Sequence, residues 1–321
     1  MASKKRVVCG LSVAAVWLAA IFLLPVWALA GVLAAGAIVC LYELCAMLKH
    51  RGYTLPFKTL AVASALWFAG MYGAWFLPTP ASGMPNKVYG LGLCLLPIVL
   101  FFGLTFWHLL SAKIEKPLET LALSLFSAVY IPASLSLFLI IVAGLSVFPE
   151  DCACDPSTNT LSGIFVALVL VLVTKMSDTG GYFIGSAFGK HKMCPRLSPG
   201  KSWEGTAGGY AFSLLSAGAM IGLAHAFPGS NLLCSFYRLT KTPEKVLWFL
   251  GTVVLLVTVG ILGDLLESLF KRQCGVKDSS ALFPAMGGFF DTFDSIIFVP
   301  AVFLLSYFVA RYCGLDFNLY L

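Results

Sequence analysis

Long apolar runs, separated by short polar or Pro/Gly-rich segments, fill most of the chain. Runs of about 20 residues match the hydrocarbon core of a bilayer when coiled as helices. They predict nine membrane-spanning helices, near residues 7–25, 27–47, 59–77, 88–110, 119–147, 161–185, 206–227, 246–270 and 291–311. No tandem repeat, low-complexity tract or soluble domain interrupts the series. The predicted fold class is therefore all-α, a polytopic membrane protein with about nine transmembrane helices.

Composition agrees. Of 321 residues, 59% are hydrophobic and 11% charged, and the mean hydropathy is +0.91. Soluble domains carry about 25% charged residues, so a soluble globule is excluded, as is a disordered chain. Ten cysteines in this length are too sparse for a disulfide-stapled module. The net charge of +6 is read through topology rather than as a nucleic-acid signal. With the N-terminus inside, fifteen of the 21 Lys and Arg residues fall on one side and five on the other, with Lys175 inside a span. That asymmetry predicts a cytoplasmic N-terminus and an external C-terminus. No basic run interleaved with aromatics marks a nucleic-acid surface. The apolar sequence continues past Ala30 to Met47, which predicts a retained first helix and a hairpin at Pro25 rather than a cleaved signal peptide. Cys152 and Cys154, in an outside loop at 149–160, lack the further ligands that zinc requires.

Charges inside a span cost at least about 2.5–3.5 kcal/mol each and normally face a cavity or a partner. Those singled out here all lie in the second half of the chain. Lys175 and Asp178 share a helix face, as an ion pair or, for Asp178, as the lining of a polar cavity. Gly180 and Gly181 follow, and would let a ligand approach the backbone. The loop 185–205, GSAFGKHKMCPRLSPGKSWEG, offers flexible backbone amides, hydroxyls and ammonium groups suited to nucleotide phosphates. It lacks the Walker A spacing, and a basic loop also serves simply as a topology determinant. His191 lies within it; His50, His108 and His225 read as structural. Asp264, Glu267, Ser268 and Lys271 fall on one stripe of one helix. They suggest a metal-and-phosphate site, against the alternative of a buried ion-pair network. Asp291 and Asp294 are again three apart. Facing Asp264, they would repel unless a cation lay between them, and Mg²⁺ held by carboxylates and substrate phosphates would satisfy all of them.

The stretch 268–295, SLFKRQCGVKDSSALFPAMGGFFDTFDS, resembles the C-terminal signature of phosphatidate cytidylyltransferases, the CDP-diacylglycerol synthases. Ser268, Lys271, Arg272, Lys277, Asp278, Pro284, Gly287, Gly288, Asp291, Asp294 and Ser295 stand at matching places. Asp178-Thr179-Gly180-Gly181-Tyr182, Ser198-Pro199-Gly200-Lys201-Ser202-Trp203-Glu204-Gly205 and Gly263-Asp264 look like the family's upstream blocks. The resemblance covers about residues 165–300. Ala285 and Met286 depart from the family's Gly-His, and Thr292 from its Arg; either Arg272, Arg196 or Lys277 supplies the missing contacts, or activity is reduced or altered.

The resemblance implies transfer of CMP from CTP to phosphatidate, releasing pyrophosphate. It implies catalytic roles for Asp264, Lys271, Asp291 and Asp294, with Asp264, Asp291 and Asp294 holding Mg²⁺ and a second cation such as K⁺ as a further expectation. Asp178, Ser198, Lys201, Ser202, Glu204, Ser268, Arg272, Lys277, Asp278, Gly287 and Gly288 would contact substrate. It divides the chain into five packing helices over 1–160 and a catalytic region over 161–321, containing the nucleotide loop 186–205. The expected setting is a multi-pass protein of the bacterial inner membrane, a homodimer, with CTP and phosphatidate as partners. The rivals are a cation- or proton-coupled transporter, which would show matching broken helices in both halves, another membrane transferase such as a CDP-alcohol phosphotransferase, whose D-x-x-D-G pattern is not found, and a non-catalytic descendant.

Overall fold

The computed structural model describes residues 24–76, 116–145, 159–280, 282 and 287–317, with single helical positions at 99, 103, 106, 107 and 110. The predicted spans 7–25 and 88–110, the loop 149–160, and the departures at Ala285 and Met286 lie wholly or mostly outside the described residues.

The elements are α1 (Val26–Lys49), α2 (Phe57–Phe76), α3 (Pro117–Ala128), a π-helical turn (Val129–Ala133), α4 (Ser134–Gly144), α5 (Asn159–Phe188), β1 (Lys192–Cys194), β2 (Ser198–Ser202), α6 (Trp203–Ala226), α7 (Cys234–Leu239), α8 (Pro243–Cys274), α9 (Phe290–Phe293) and α10 (Val299–Tyr312). Among the described residues, five helical stretches are long and apolar enough to cross a membrane: Val26–Lys49, Pro117–Gly144, Leu161–Phe188, Trp203–Ala226 and Pro243–Cys274. Local chemistry sets several boundaries. Pro117 opens α3, where its missing N–H costs nothing. Pro132 inside the second stretch, Pro117–Gly144, removes a helical hydrogen bond, and the backbone widens into the π turn. The Ser202 hydroxyl caps α6 by accepting from the Gly205 amide at 3.1 Å.

The predicted span 291–311 is not one helix. It consists of the one-turn α9, the turn 294–298, and α10 of 14 residues. Pro300 in the first turn of α10 fixes the restart. Asp291 is therefore helical, whereas Asp294 lies beyond the end of α9.

Contacts divide the chain into two compact units: Met1–Leu139 with Phe270–Phe293, and Ile140–Leu269 with Asp294–Leu321. In the first, α1 packs on α2, and Tyr130 meets Phe126, Phe270 and Phe290 in an aromatic cluster. In the second, α5 and α6 pack closely through glycines. A Cβ at Gly180 would sit 2.5 Å from the Gly208 carbonyl, and one at Gly209 would sit 2.9 Å from the Ser177 hydroxyl. Gly180 thus admits a neighbouring helix, where the sequence suggested a ligand. Trp248, Tyr307 and Phe317 cluster in the same unit, with Tyr307 stacked on Phe317 and edge-on to Trp248.

Candidate functional site

In the second unit the site is built on α8, whose face carries Asp264 and Glu267 three residues apart. Gly260 and Gly263 lie on the same helix and let the segment after α9 come close. A Cβ at Gly263 would lie 2.5 Å from the Asp294 carbonyl oxygen. That approach brings Asp294 beside the two α8 acids. One carboxylate oxygen from each of Asp264, Glu267 and Asp294 can be chosen so that all lie within 4.8 Å of one another. Glu267 is fully buried and Asp294 is 7% exposed. The Ser295 amide donates to Asp294 Oδ1 at 2.6 Å and fixes its rotamer.

Three carboxylates this close, two of them out of water, repel one another strongly. A divalent cation with oxygen ligands fits the set, because Mg²⁺ is commonly held by one or two carboxylates together with substrate phosphates. Positive charge is also supplied by the chain. Lys201 pairs with Asp264 at 2.7 Å and donates to the Ile261 carbonyl at 3.2 Å. Lys175 donates to Asp178 at 3.0 Å and to Ser295 Oγ at 2.8 Å, and Ser295 Oγ lies 3.1 Å from Asp178. The predicted Lys175–Asp178 pair is present and is closed into a triangle by Ser295.

Lys201 is delivered by the antiparallel hairpin β1–β2, in which Lys192 stands opposite Ser202 and Cys194 opposite Ser198. The hairpin is fastened by His191, whose amide and Nδ1 both reach the Glu204 carboxylate, at 3.2 and 2.5 Å. Ser202 and Glu204, expected to contact substrate, thus hold the hairpin and its helix. Lys190, Lys192 and Arg196 are exposed along it, as Arg272, Lys277 and Asp278 are in the first unit, and Ser268 is buried in α8.

In the first unit a separate cluster forms around Asp291. Its Oδ1 pairs with Lys271 at 2.8 Å. Its Oδ2 accepts from the Ser279 amide at 3.0 Å and the Gly288 amide at 2.6 Å, and the Ser279 hydroxyl oxygen lies 3.1 Å from it. Gly287 adopts a left-handed φ of +92°, which only glycine takes without strain. A Cβ on Gly288 would collide with Ser279 and Glu43. The two glycines therefore shape the loop around Asp291.

Glu43 is the residue that sequence reasoning missed. It is the one carboxylate in the apolar helix α1, and that isolation was itself the signal. Of the predicted metal ligands, Asp264 and Asp294 lie together with Glu267, while the Asp291 oxygens engage Lys271, Ser279 and Gly288.

Gly263→Ala is expected to lower stability by about 1–3 kcal/mol, the usual range for overpacking. It should also reduce stabilisation by Mg²⁺, since Asp294 is displaced. Thermal unfolding in detergent with and without Mg²⁺ checks both effects.

Comparison with known proteins agrees with this chemistry. The model of the Cytidylyltransferase family matches residues 4–310. A phosphatidate cytidylyltransferase of Haemophilus influenzae is 41% identical over 146 residues, 46% of this chain and 46% of that protein. The match thus spans about half the length of that relative. Those of Mycobacterium bovis and Mycobacterium leprae are 28% identical over 312 residues and 30% identical over 301 residues. These alignments cover 92% and 90% of this chain, and 84% and 82% of the relatives. With a family model spanning nearly its whole length, this chain belongs to the cytidylyltransferase family.

Proposed function

We propose that this chain transfers CMP from CTP to phosphatidate, giving CDP-diacylglycerol and pyrophosphate. The observation that carries the proposal is the converging carboxylate set of Asp264, Glu267 and Asp294, with Lys201 paired to its most accessible member, in a chain of this family. A phosphate oxygen of phosphatidate attacks the α-phosphorus of CTP. The new P–O bond forms as the bond to the bridging oxygen breaks, and pyrophosphate leaves with that electron pair. The nucleophile is already an anion, so no side chain need remove a proton. Catalysis is then positioning and charge neutralisation.

Asp264, Glu267 and Asp294 hold Mg²⁺, which when bound supplies positive charge to the phosphate oxygens. Lys201 moves from Asp264 to a CTP phosphate as the nucleotide enters. Exposed Lys190, Lys192 and Arg196 extend the electropositive face of the hairpin, and Ser198 lies beside them on β2. Asp178 and Ser295 keep Lys175 in place. Lys271 binds phosphate with Asp291 fixing its ammonium, and Arg272 and Lys277 add exposed positive charge where Thr292 stands in place of arginine. The loop–charge asymmetry supports nine spans with a cytoplasmic N-terminus, and hence a site facing cytosolic CTP, in a multi-pass protein of the bacterial inner membrane. A homodimer, and a second cation such as K⁺, complete the reading.

The test is product identity. Purified protein supplied with CTP, Mg²⁺ and phosphatidate should yield a lipid heavier than phosphatidate by one esterified CMP, with one pyrophosphate per lipid formed. CTP hydrolysis to free CMP, with the lipid unchanged, would refute the transfer.

A further inference from the structure

Helix α1 does more than pack. Glu43 is 2% exposed and sits on an apolar helix, where an unsatisfied carboxylate would be costly. Its four hydrogen-bond donors all come from one segment far along the chain. Oε1 accepts from the Ser280 hydroxyl at 2.5 Å and the Phe289 amide at 3.0 Å. Oε2 accepts from the Ser279 hydroxyl at 2.8 Å and the Phe290 amide at 2.8 Å. Seven residues earlier, on the same helix face, Gly36 leaves room for the Phe289 ring, which a Cβ there would approach to 3.1 Å. Residues 279–280 and 289–290 are thus both held by α1. The hold continues inward: the same Ser279 hydroxyl touches Asp291 Oδ2, and Asp291 Oδ1 carries Lys271.

We infer that Glu43 is a positioning residue for the reaction, fixing Ser279, Ser280, Phe289 and Phe290 and, through Ser279 and Asp291, the ammonium of Lys271. The catalytic consequence rests on the phosphate-binding role proposed for Lys271; the structural consequence does not. Glutamine at position 43 keeps the volume but turns an amide NH₂ toward groups that are themselves donors. At least one loop amide then loses its acceptor, and the loop loosens while α1 keeps its apolar packing.

The experiment measures hydrogen exchange and steady-state kinetics on full-length protein in detergent, comparing wild type, Glu43→Gln and Ser280→Ala. In Glu43→Gln, amides of 279, 280 and 287–290 should exchange at least about tenfold faster, while those of α6 stay at the wild-type rate. The kcat should fall at least about tenfold, with KM for CTP within about threefold, as expected when a group acting in the transition state is misplaced. Ser280→Ala, which removes one donor and leaves the carboxylate, should shift both readouts the same way by less. Wild-type exchange at these amides would overturn the inference. So would faster exchange throughout the protein, which would make Glu43 a residue of the fold alone. Local loosening in a protein whose wild type makes no CDP-diacylglycerol would refute the proposed function and uphold the positioning of the loop.

Discussion

Asp264→Asn is expected to lower kcat for CDP-diacylglycerol formation by about 10³-fold while the protein stays folded. Removing one preorganised electrostatic group from a transition state commonly costs 10²–10³-fold. Here the variant removes a charge from the carboxylate set proposed to hold Mg²⁺ and also frees Lys201 from its partner. The stability effect distinguishes this role from a structural one. Without Mg²⁺, the three acids repel across at most 4.8 Å between the chosen oxygens, so neutralising one relieves strain. The unfolding midpoint in Mg²⁺-free buffer should therefore not fall. In wild type, added Mg²⁺ should raise the midpoint, because it binds only the folded site; in Asp264→Asn that rise should be lost. A midpoint that drops sharply without Mg²⁺ would instead mark Asp264 as the anchor of a structural ion pair with Lys201.

Lys201→Met should lower kcat/KM for CTP by about 10²-fold, mainly through KM, since a charged hydrogen-bond partner of the nucleotide is lost. The same change should make Mg²⁺ binding tighter in the absence of nucleotide. The Lys201 ammonium sits 2.7 Å from Asp264 and competes with the cation for that carboxylate. Mg²⁺-dependent unfolding midpoints would then saturate at lower Mg²⁺ in the variant. These opposite signs for nucleotide and metal are specific to a lysine that exchanges partners. A lysine that merely bridged β2 to α8 would weaken both or neither.

Much of this site is legible in the sequence. The three-residue spacing of Asp264 and Glu267 puts both on one face of a long apolar helix, and the structure joins them with Asp294. The Lys175–Asp178 pair follows from the same rule. Other features were hidden for physical reasons. A glycine says that something comes close, without saying what. At Gly180 and Gly263 it is the chain's own backbone. Hydropathy ran through 291–311 as one segment because an apolar turn and an apolar helix look alike in composition, although Pro300 marked the restart. Residues 270–293 group with the N-terminal helices. The link is Glu43, whose partners lie more than 230 residues away, and no local pattern reports such a contact.

The most direct measurement is pyrophosphate release from CTP by the purified protein, with phosphatidate and Mg²⁺ each present or withheld, repeated on Asp264→Asn and Asp294→Asn. The account predicts release only when both are supplied, one pyrophosphate per CDP-diacylglycerol, and near-complete loss in both variants. Release that ignores phosphatidate, or that survives in both variants, would contradict it.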